Sequence, residues 1–208
     1  MAGVEAVLFD IGNVLTRWQP EAFYDRVIGE DRRRALFAAV DLHGMNDLVD
    51  AGALFRETIY DWAGQYPEWH TEIRLWYDRW IELASPRIEG SIALQRALRA
   101  RGVPVFALTN FGANAFDEAL PKMDFLRDFD RLYVSGRMGV IKPDPMIFQM
   151  VEDDCGLVPA RLLFTDDKAE NVAAAADRGW RTHQFEGWQG WARRLVAEGL
   201  LTQMEAGL

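Results

Sequence analysis

The sequence predicts an α/β fold in which an open parallel sheet is flanked by helices and carries an inserted α-helical domain. Short apolar segments rich in β-prone residues alternate with segments of helical periodicity over most of the second half of the chain. In addition, more than ninety residues separate the first β-prone segment from the second. Because one crossover helix needs far fewer residues, this long connection indicates an insertion.

Five segments are predicted to form the strands of this Rossmann-like sheet. In chain order they are VEAVLF (4–9), VPVFAL (103–108), RLYV (131–134), LLFT (162–165) and RTHQF (181–185). Helices are expected at 88–102, where apolar residues share one face and Gly102 closes the segment, at 144–156 after Pro143, and at the alanine-rich 168–179.

Residues 16–86 are predicted to form a helical cap, and residues 1–15 together with 87–208 the sheet domain. Five of the eight tryptophans lie in the cap, and Trp76 and Trp80, four residues apart, are expected on one helix face. These rings either pack the core of the cap or form a surface for a substrate or a second subunit. His43 and His70 have no neighbour at metal-ligand spacing, so surface or packing roles are expected for them.

Charge and composition exclude several classes of partner. A formal net charge of -9 would repel nucleic acid and anionic membrane surfaces, so neither is expected as a partner. The N-terminal MAGVEAV lacks the pattern of an export signal, and no segment has the length and composition of a membrane span. The cytoplasm is therefore the expected location, while a monomer and a homodimer are both consistent with the sequence.

Polar residues stand where the predicted strands end, and one lysine precedes a predicted helix. These residues are Asp10, Thr109, Asn110, Asp166, Asp167 and Lys142. Because ligands bind beyond the carboxyl ends of the strands in an open parallel sheet, we expect the six side chains to converge.

Three carboxylates in one small site repel one another unless their pKa values rise or a divalent cation neutralises them. Oxygen ligands of this kind suit Mg²⁺. Together with Lys142 and the Thr109 hydroxyl, a magnesium ion would bind a phosphoryl group, and Asp10 is the best placed nucleophile. Taken singly, each residue has a simpler explanation as a turn residue, a helix cap or a solvated lysine, so the prediction depends on their combination.

Four separated motifs, FDIGNVL, LTN, GVIKPDPMIF and FTDDKAEN, occur in that order along the chain. They resemble the four motifs of the haloacid dehalogenase-like (HAD) hydrolase superfamily, and the insertion after the first motif resembles the subclass with a C1 helical cap. The DxGNV form of the first motif is similar to that of bacterial sugar-phosphate phosphatases of the glucose-1-phosphatase type.

The resemblance implies a nucleophile and a metal site. Asp10 would form an aspartyl-phosphate intermediate. Mg²⁺ would be held by the Asp10 carboxylate, the Gly12 backbone carbonyl and the acids of the fourth motif, most directly Asp167 with Asp166 alongside.

The resemblance also implies the residues that bind phosphate. Thr109 and the backbone of Asn110 would bind the phosphoryl oxygens, and Lys142 would offset the charge of nucleophile and phosphate. Asn171 would orient the acidic pair.

Gly12 departs from the family pattern. Most phosphatases of the superfamily have a second aspartate there, which protonates the leaving group and later activates water. Such a group contributes roughly 100- to 10,000-fold to the rate, so its absence implies slower turnover unless water or a cap residue replaces it.

The sequence leaves three functions open. The first is a magnesium-dependent phosphatase that acts on a small phosphorylated metabolite such as a sugar phosphate. The second is a 2-haloacid dehalogenase. The adjacent acids Asp166 and Asp167 disfavour it, because without a metal they would repel a carboxylate substrate, but Arg17, close after the first motif, keeps this alternative open. The third is a phosphate-sensing or protein-interaction module with weak turnover.

Substrate specificity is expected from the cap, where the candidates are Trp18, His43, Asn46, Trp76 and Trp80.

Overall fold

A computed structural model describes residues 3–208. Residues 1 and 2 lie outside the described residues. They belong to the predicted sheet domain and to the N-terminal segment in which no export signal was found. Within this range one sheet contains the parallel strands β1 (Ala6–Phe9), β2 (Val105–Thr109), β3 (Arg131–Val134), β4 (Leu162–Asp166) and β5 (Arg181–Gln184). The strand order is β3-β2-β1-β4-β5. The predicted α/β class with a parallel sheet is confirmed.

The strands differ from the prediction only at their ends. β1 begins at Ala6 rather than at residue 4, and β2 begins two residues later than predicted. Thr109 and Asp166, expected just after their strands, are the last residues of β2 and β4 because they still pair with Val134 and Gln184.

The long connection after β1 is a helical insertion. Its helices are α1 (Pro20–Ile28), α2 (Glu30–Ala39), α3 (Leu42–Asp50), α4 (Phe55–Gln65), α5 (His70–Asp78) and α6 (Trp80–Leu83). The chain leaves and re-enters the sheet domain through two paired segments, in which the Ile88 amide donates to the Leu15 carbonyl and the Arg17 amide to the Pro86 carbonyl, each at 2.8 Å. The boundaries of the cap at residues 16 and 86 stay a prediction.

The insertion does not contain the predicted tryptophan face. α5 ends at Asp78 because Arg79 leaves the helical conformation, with φ -129° and ψ 23°. Trp76 and Trp80 therefore lie on different helices, and the prediction that they share one face is wrong. Trp76 is buried and donates a hydrogen bond from Nε1 to Asn46 Oδ1 at 3.0 Å.

The remaining helices cover the sheet. They are α7 (Glu89–Ala100), α8 (Ala113–Ala119), α9 (Ser135–Met138), α10 (Pro145–Cys155), α11 (Ala169–Asp177) and α12 (Trp188–Ala197), with 3₁₀ turns at Asp124–Asp128 and Pro159–Arg161. On one face Phe9 of β1 meets Trp191 of α12 edge to face, with ring centroids 5.5 Å apart. On the other, Phe164 of β4 meets Phe148 of α10 at 6.0 Å.

The strand order places a crevice next to β1. From β1 the chain moves outward to β2 and β3 and then crosses to β4 and β5 on the other side. The order therefore reverses at β1, and the loops that follow β1, β2 and β4 diverge at the carboxyl edge of the sheet, where such folds bind ligands.

Residues 3–208 contain no helix with the length and apolar character needed to cross a membrane.

Candidate active site

A cavity of about 170 Å³ lies at the carboxyl ends of β1, β2 and β4, between the sheet and the insertion. Most of the predicted site residues line it: Asp10, Gly12, Thr109, Asn110, Lys142, Asp167 and Asn171. Asp166 is fully buried and contacts this group through hydrogen bonds. The structure thus brings the predicted residues together, while their roles stay predictions.

The Lys142 ammonium is the centre of the hydrogen-bond network. Its Nζ donates to Asp10 Oδ1 at 2.9 Å, to Asp166 Oδ2 at 2.6 Å and to the Leu108 carbonyl at 2.9 Å. Only 3% of the residue is exposed, and these three acceptors use all three donors of an ammonium. Burial lowers the pKa of Lys142, but the attraction of Asp10 and Asp166 outweighs it, so the pKa lies above its usual value and the side chain stays charged.

Asn110 holds the backbone of Lys142. Its Nδ2 donates to the Lys142 carbonyl at 3.0 Å, and its Oδ1 accepts from the Lys142 amide at 2.8 Å. The side chain at the end of β2 thereby fixes the loop that carries the lysine. Phosphate binding by the backbone of Asn110 was predicted, whereas this positioning contact of its side chain was not.

Asp10 follows β1 directly, and its amide donates to the Thr165 carbonyl of β4 at 2.9 Å. The residue is 7% exposed. Burial raises the pKa of Asp10 to about 7; Lys142 opposes the rise, and the negative charge of the acidic pair adds to it. Oδ1 is bound by Lys142, whereas Oδ2 accepts no hydrogen bond from residues 3–208.

The two acids at the end of β4 have different surroundings. Asp166 accepts hydrogen bonds from the Lys168 amide at 2.8 Å and from Asn171 Nδ2 at 3.0 Å, in addition to Lys142. Asp167 is half-buried, and its Oδ2 accepts from Asn13 Nδ2 at 2.9 Å. Burial raises the pKa of Asp167 although the Asn13 hydrogen bond lowers it. Asn171 thus positions Asp166 rather than both acids.

Asn13 is a site residue that the sequence analysis missed. Its φ of 55° lies in the left-handed region, which asparagine tolerates better than most residues. This turn lets Oδ1 accept from the Trp18 amide at 3.0 Å while Nδ2 reaches Asp167. The asparagine directly after Gly12 in the first motif was the available signal, because Gly-Asn pairs are typical of turns with a positive φ.

Gly12 leaves open space beside the nucleophile. Its backbone lies outside the left-handed region, so its conformation does not require glycine. A Cβ at this position would lie 3.9 Å from Asp10 Oδ2 and 4.0 Å from the Trp18 Cβ, which are ordinary contact distances. The acid that the family resemblance implies at position 12 is absent, but there is room for its first side-chain atom.

The carboxylates fit a divalent cation. Oxygens of Asp10, Asp166 and Asp167 lie within 4.8 Å of one another. When ionised, the three acids and Lys142 carry two net negative charges, which one divalent cation would neutralise. Asp10 Oδ2 and Asp167 Oδ1 accept no hydrogen bond from residues 3–208, whereas both Asp166 oxygens are occupied. The hard oxygen donors therefore suit Mg²⁺, with Asp10 and Asp167 as the more accessible ligands.

The insertion forms the opposite wall. Its lining residues are Thr16, Trp18, His43, Asn46, Asp47, Val49, Asp50, Phe55, Trp80 and Ala84. Of the predicted specificity candidates, Trp76 alone does not line the cavity, although it holds Asn46. Asp47 and Asp50 were missed by the sequence analysis, because nothing in their local pattern places them near the sheet. Arg17 is exposed and does not line the cavity.

The chain is similar in sequence to two enzymes named as phosphatases. D-ribitol-5-phosphate phosphatase from Bacteroides thetaiotaomicron is 35% identical over 72 residues, which are 34% of this chain and 35% of that enzyme, so the match spans about a third of either protein. Phosphoserine phosphatase from Thermus thermophilus is 26% identical over 184 residues, covering 84% of this chain and 73% of that enzyme.

The fold is shared with solved structures. A HAD family enzyme from Bacteroides thetaiotaomicron, crystallised in complex with magnesium and inorganic phosphate, has a TM-score of 0.59 at 22% identity and covers 89% of this chain and 96% of that chain. The family model described as haloacid dehalogenase-like hydrolase matches residues 4–179, which is most of the sequence. The chain therefore belongs to the haloacid dehalogenase-like hydrolases.

Proposed function

We propose that the protein is a magnesium-dependent phosphatase that hydrolyses a small phosphorylated metabolite, such as a sugar phosphate, through an aspartyl-phosphate at Asp10. The observation that carries the proposal is the buried pair of Asp10 and Lys142, which lines a cavity together with Asp167. Two relatives named as phosphatases of small phosphorylated metabolites support it.

Each residue of the sheet wall has a chemical task in this reaction. Lys142 favours the ionised form of Asp10, which attacks phosphorus, and its charge offsets that of the phosphoryl group. The hydroxyl of Thr109, a residue that is 1% exposed at the end of β2, and the backbone amide of Asn110 bind phosphoryl oxygens.

The acids and the Gly12 carbonyl would hold the metal. Asp10, Asp166 and Asp167 supply the carboxylates, and a bound Mg²⁺ would neutralise negative charge on the phosphoryl group. Asn171 and Lys142 keep Asp166 in place through hydrogen bonds to its oxygens.

The cavity disfavours the dehalogenase alternative. A haloacid carries a carboxylate, and its dehalogenation needs no metal ion, so nothing would offset the repulsion of this carboxylate by Asp47, Asp50 and Asp167 as Mg²⁺ would for a phosphate. The exposed Arg17 does not line the cavity and cannot compensate. The sensing alternative depends on Gly12 alone.

One set of assays tests the proposal. Protein treated with EDTA is assayed for phosphate release from p-nitrophenyl phosphate and from a panel of phosphorylated metabolites that includes ribitol 5-phosphate and phosphoserine. We expect activity to return with Mg²⁺. Equal activity without metal would contradict the metal site, and halide release from 2-chloropropionate without metal would show a dehalogenase. The absence of both activities would favour a sensing module.

A further inference from the structure

The proposed reaction needs a group that gives a proton to the leaving oxygen and later accepts one from water. Gly12 has no side chain for this task, and the donors of Lys142 are all bound to acceptors. Asp167 is a predicted metal ligand. Among residues 3–208, the other ionisable side chains that line the cavity are His43, Asp47, Asp50 and Lys168.

Of these four side chains, Asp50 is the one that is half-buried rather than exposed. It is the last residue of α3, and its Oδ2 accepts a hydrogen bond from Asn46 Nδ2 at 2.9 Å. Asn46 is in turn fixed by the buried Trp76, and the Gly112 amide favours the charged form of the Asp50 carboxylate. His43 hydrogen-bonds Glu21 at 3.3 Å and packs against the Trp76 ring, but it is exposed, as are Asp47 and Lys168.

The end of α3 is anchored to the sheet domain close to the predicted phosphate site. The buried Ser135 hydroxyl donates to the Asp50 carbonyl at 2.6 Å and accepts from the Phe111 amide at 2.9 Å. Glycine permits the close approach, because a Cβ at Gly112 would lie 2.4 Å from Val49 Cγ1. Asp50 is therefore placed beside the loop that begins at Asn110.

The surroundings of Asp50 favour proton exchange near neutral pH. Burial raises the pKa of Asp50 to about 7, and Asp47 and Asp10 add to the rise, while the Gly112 amide and Lys168 oppose it. A carboxyl group with a pKa near the working pH can both donate and accept a proton.

We propose that Asp50 of the insertion is the proton-transfer residue of this phosphatase and replaces the aspartate that is absent at position 12. The inference rests on the proposed function. In the first step an Asp10 oxygen bonds to phosphorus, the bond from phosphorus to the leaving oxygen breaks, and the Asp50 proton moves to that oxygen. In the second step a water oxygen bonds to phosphorus, a water proton moves to Asp50, and the bond to Asp10 breaks. Both acids return to their starting states as phosphate leaves.

The test compares leaving groups in Asp50→Asn, which keeps the size and the acceptor oxygen of the side chain. The first substrate is the alkyl phosphate of the panel that the wild-type protein hydrolyses best. For this substrate we expect kcat/KM to fall by roughly 100-fold or more, because an alkoxide needs a proton to leave. For p-nitrophenyl phosphate, whose leaving group needs no proton, kcat/KM should stay within about tenfold. The value of kcat should fall for both substrates, and phosphorylated Asp10 should accumulate, since its hydrolysis lacks a base.

Two further variants make the result specific. Asp31→Asn, an equal change of charge at an exposed position of α2 that does not line the cavity, should keep the wild-type ratio of the two kcat/KM values. The double variant Gly12→Asp, Asp50→Asn should regain part of the activity on the alkyl phosphate, because a Cβ at position 12 would make only ordinary contacts. If Asp50→Asn does not fold, Asp50→Ser takes its place in the same comparison.

The outcomes separate the two proposals. Wild-type protein without any magnesium-dependent phosphatase activity would overturn the proposed function and the role of Asp50 with it. An active wild type together with a folded Asp50 variant that loses equal activity on both substrates, or none, would overturn the role of Asp50 alone.

Discussion

The two walls of the cavity are built in different ways. On the sheet wall, Asp10, Lys142 and Asp166 are buried and joined by hydrogen bonds. Asp10 and Asp166 stand at strand ends, and Lys142 lies in the loop before α10. On the insertion wall, His43 and Asp47 are exposed. Asp50 is positioned by Asn46 of the same helix and by the Ser135 hydroxyl of the sheet domain, which donates to its backbone carbonyl.

The two walls should therefore respond differently to substitution of their residues. A buried, hydrogen-bonded charge cannot be removed without leaving its partner uncompensated, so changes in the sheet wall affect the reaction or the fold strongly. Exposed side chains of the insertion wall make few such contacts, and their replacement is expected to alter the choice of substrate more than the stability of the protein.

Asp10→Asn should have the largest effect of any change to the sheet wall. An amide cannot serve as the nucleophile, so we expect turnover to fall by a factor on the order of 10⁴ or more. The fold should persist because a neutral amide is easier to bury than a carboxylate. The measurements are phosphate release with Mg²⁺ and thermal unfolding, and Asp153→Asn at an exposed position of α10 is the matched control. Turnover within tenfold of wild type would remove Asp10 as the nucleophile.

Lys142→Met tests whether the charges of the sheet wall stabilise the fold. Methionine fills similar space but leaves Asp10 and Asp166 without their buried cation. We expect the free energy of unfolding to fall by about 3–5 kcal/mol in metal-free protein. Urea denaturation in EDTA at pH 8 measures this change.

Lys168→Met is the control for that experiment, because Lys168 is exposed and should alter the stability by less than about 0.5 kcal/mol. If Lys142→Met unfolds at the wild-type urea concentration, the ion pairs contribute nothing to the stability of the sheet wall.

Much of the sheet could be predicted from the sequence because β1, β2 and β4 are buried on both faces and appear as continuous apolar segments. Helix ends marked by glycine or proline were also predictable, as at Gly102, whose φ is 73°. The break at Arg79 was not, since neither residue type marks it.

The same contrast applies to the site. The sheet wall was predictable because strand topology alone brings Asp10, Thr109 and Asp166 to one edge. Asp50 was not, because its position depends on the contacts of α3 with Ser135 and Gly112, which no local sequence pattern contains. The substrate, the cytoplasmic location and the choice between monomer and homodimer stay predictions for the same reason: none of them follows from strand order.

Asn13→Gly should have the smallest effect, at the point where the two walls meet. Asn13 connects Asp167 of the sheet wall to the Trp18 amide of the insertion wall, and glycine keeps the left-handed backbone while removing both side-chain contacts. We expect the affinity for Mg²⁺ to fall by about 10- to 100-fold, because Asp167 loses the hydrogen bond that orients it. Calorimetric titration with Mg²⁺ measures this affinity, with Gln19→Ala, at an exposed position nearby, as the control. Wild-type affinity in Asn13→Gly would mean that the metal does not depend on the orientation of Asp167, and that the two walls act independently at this junction.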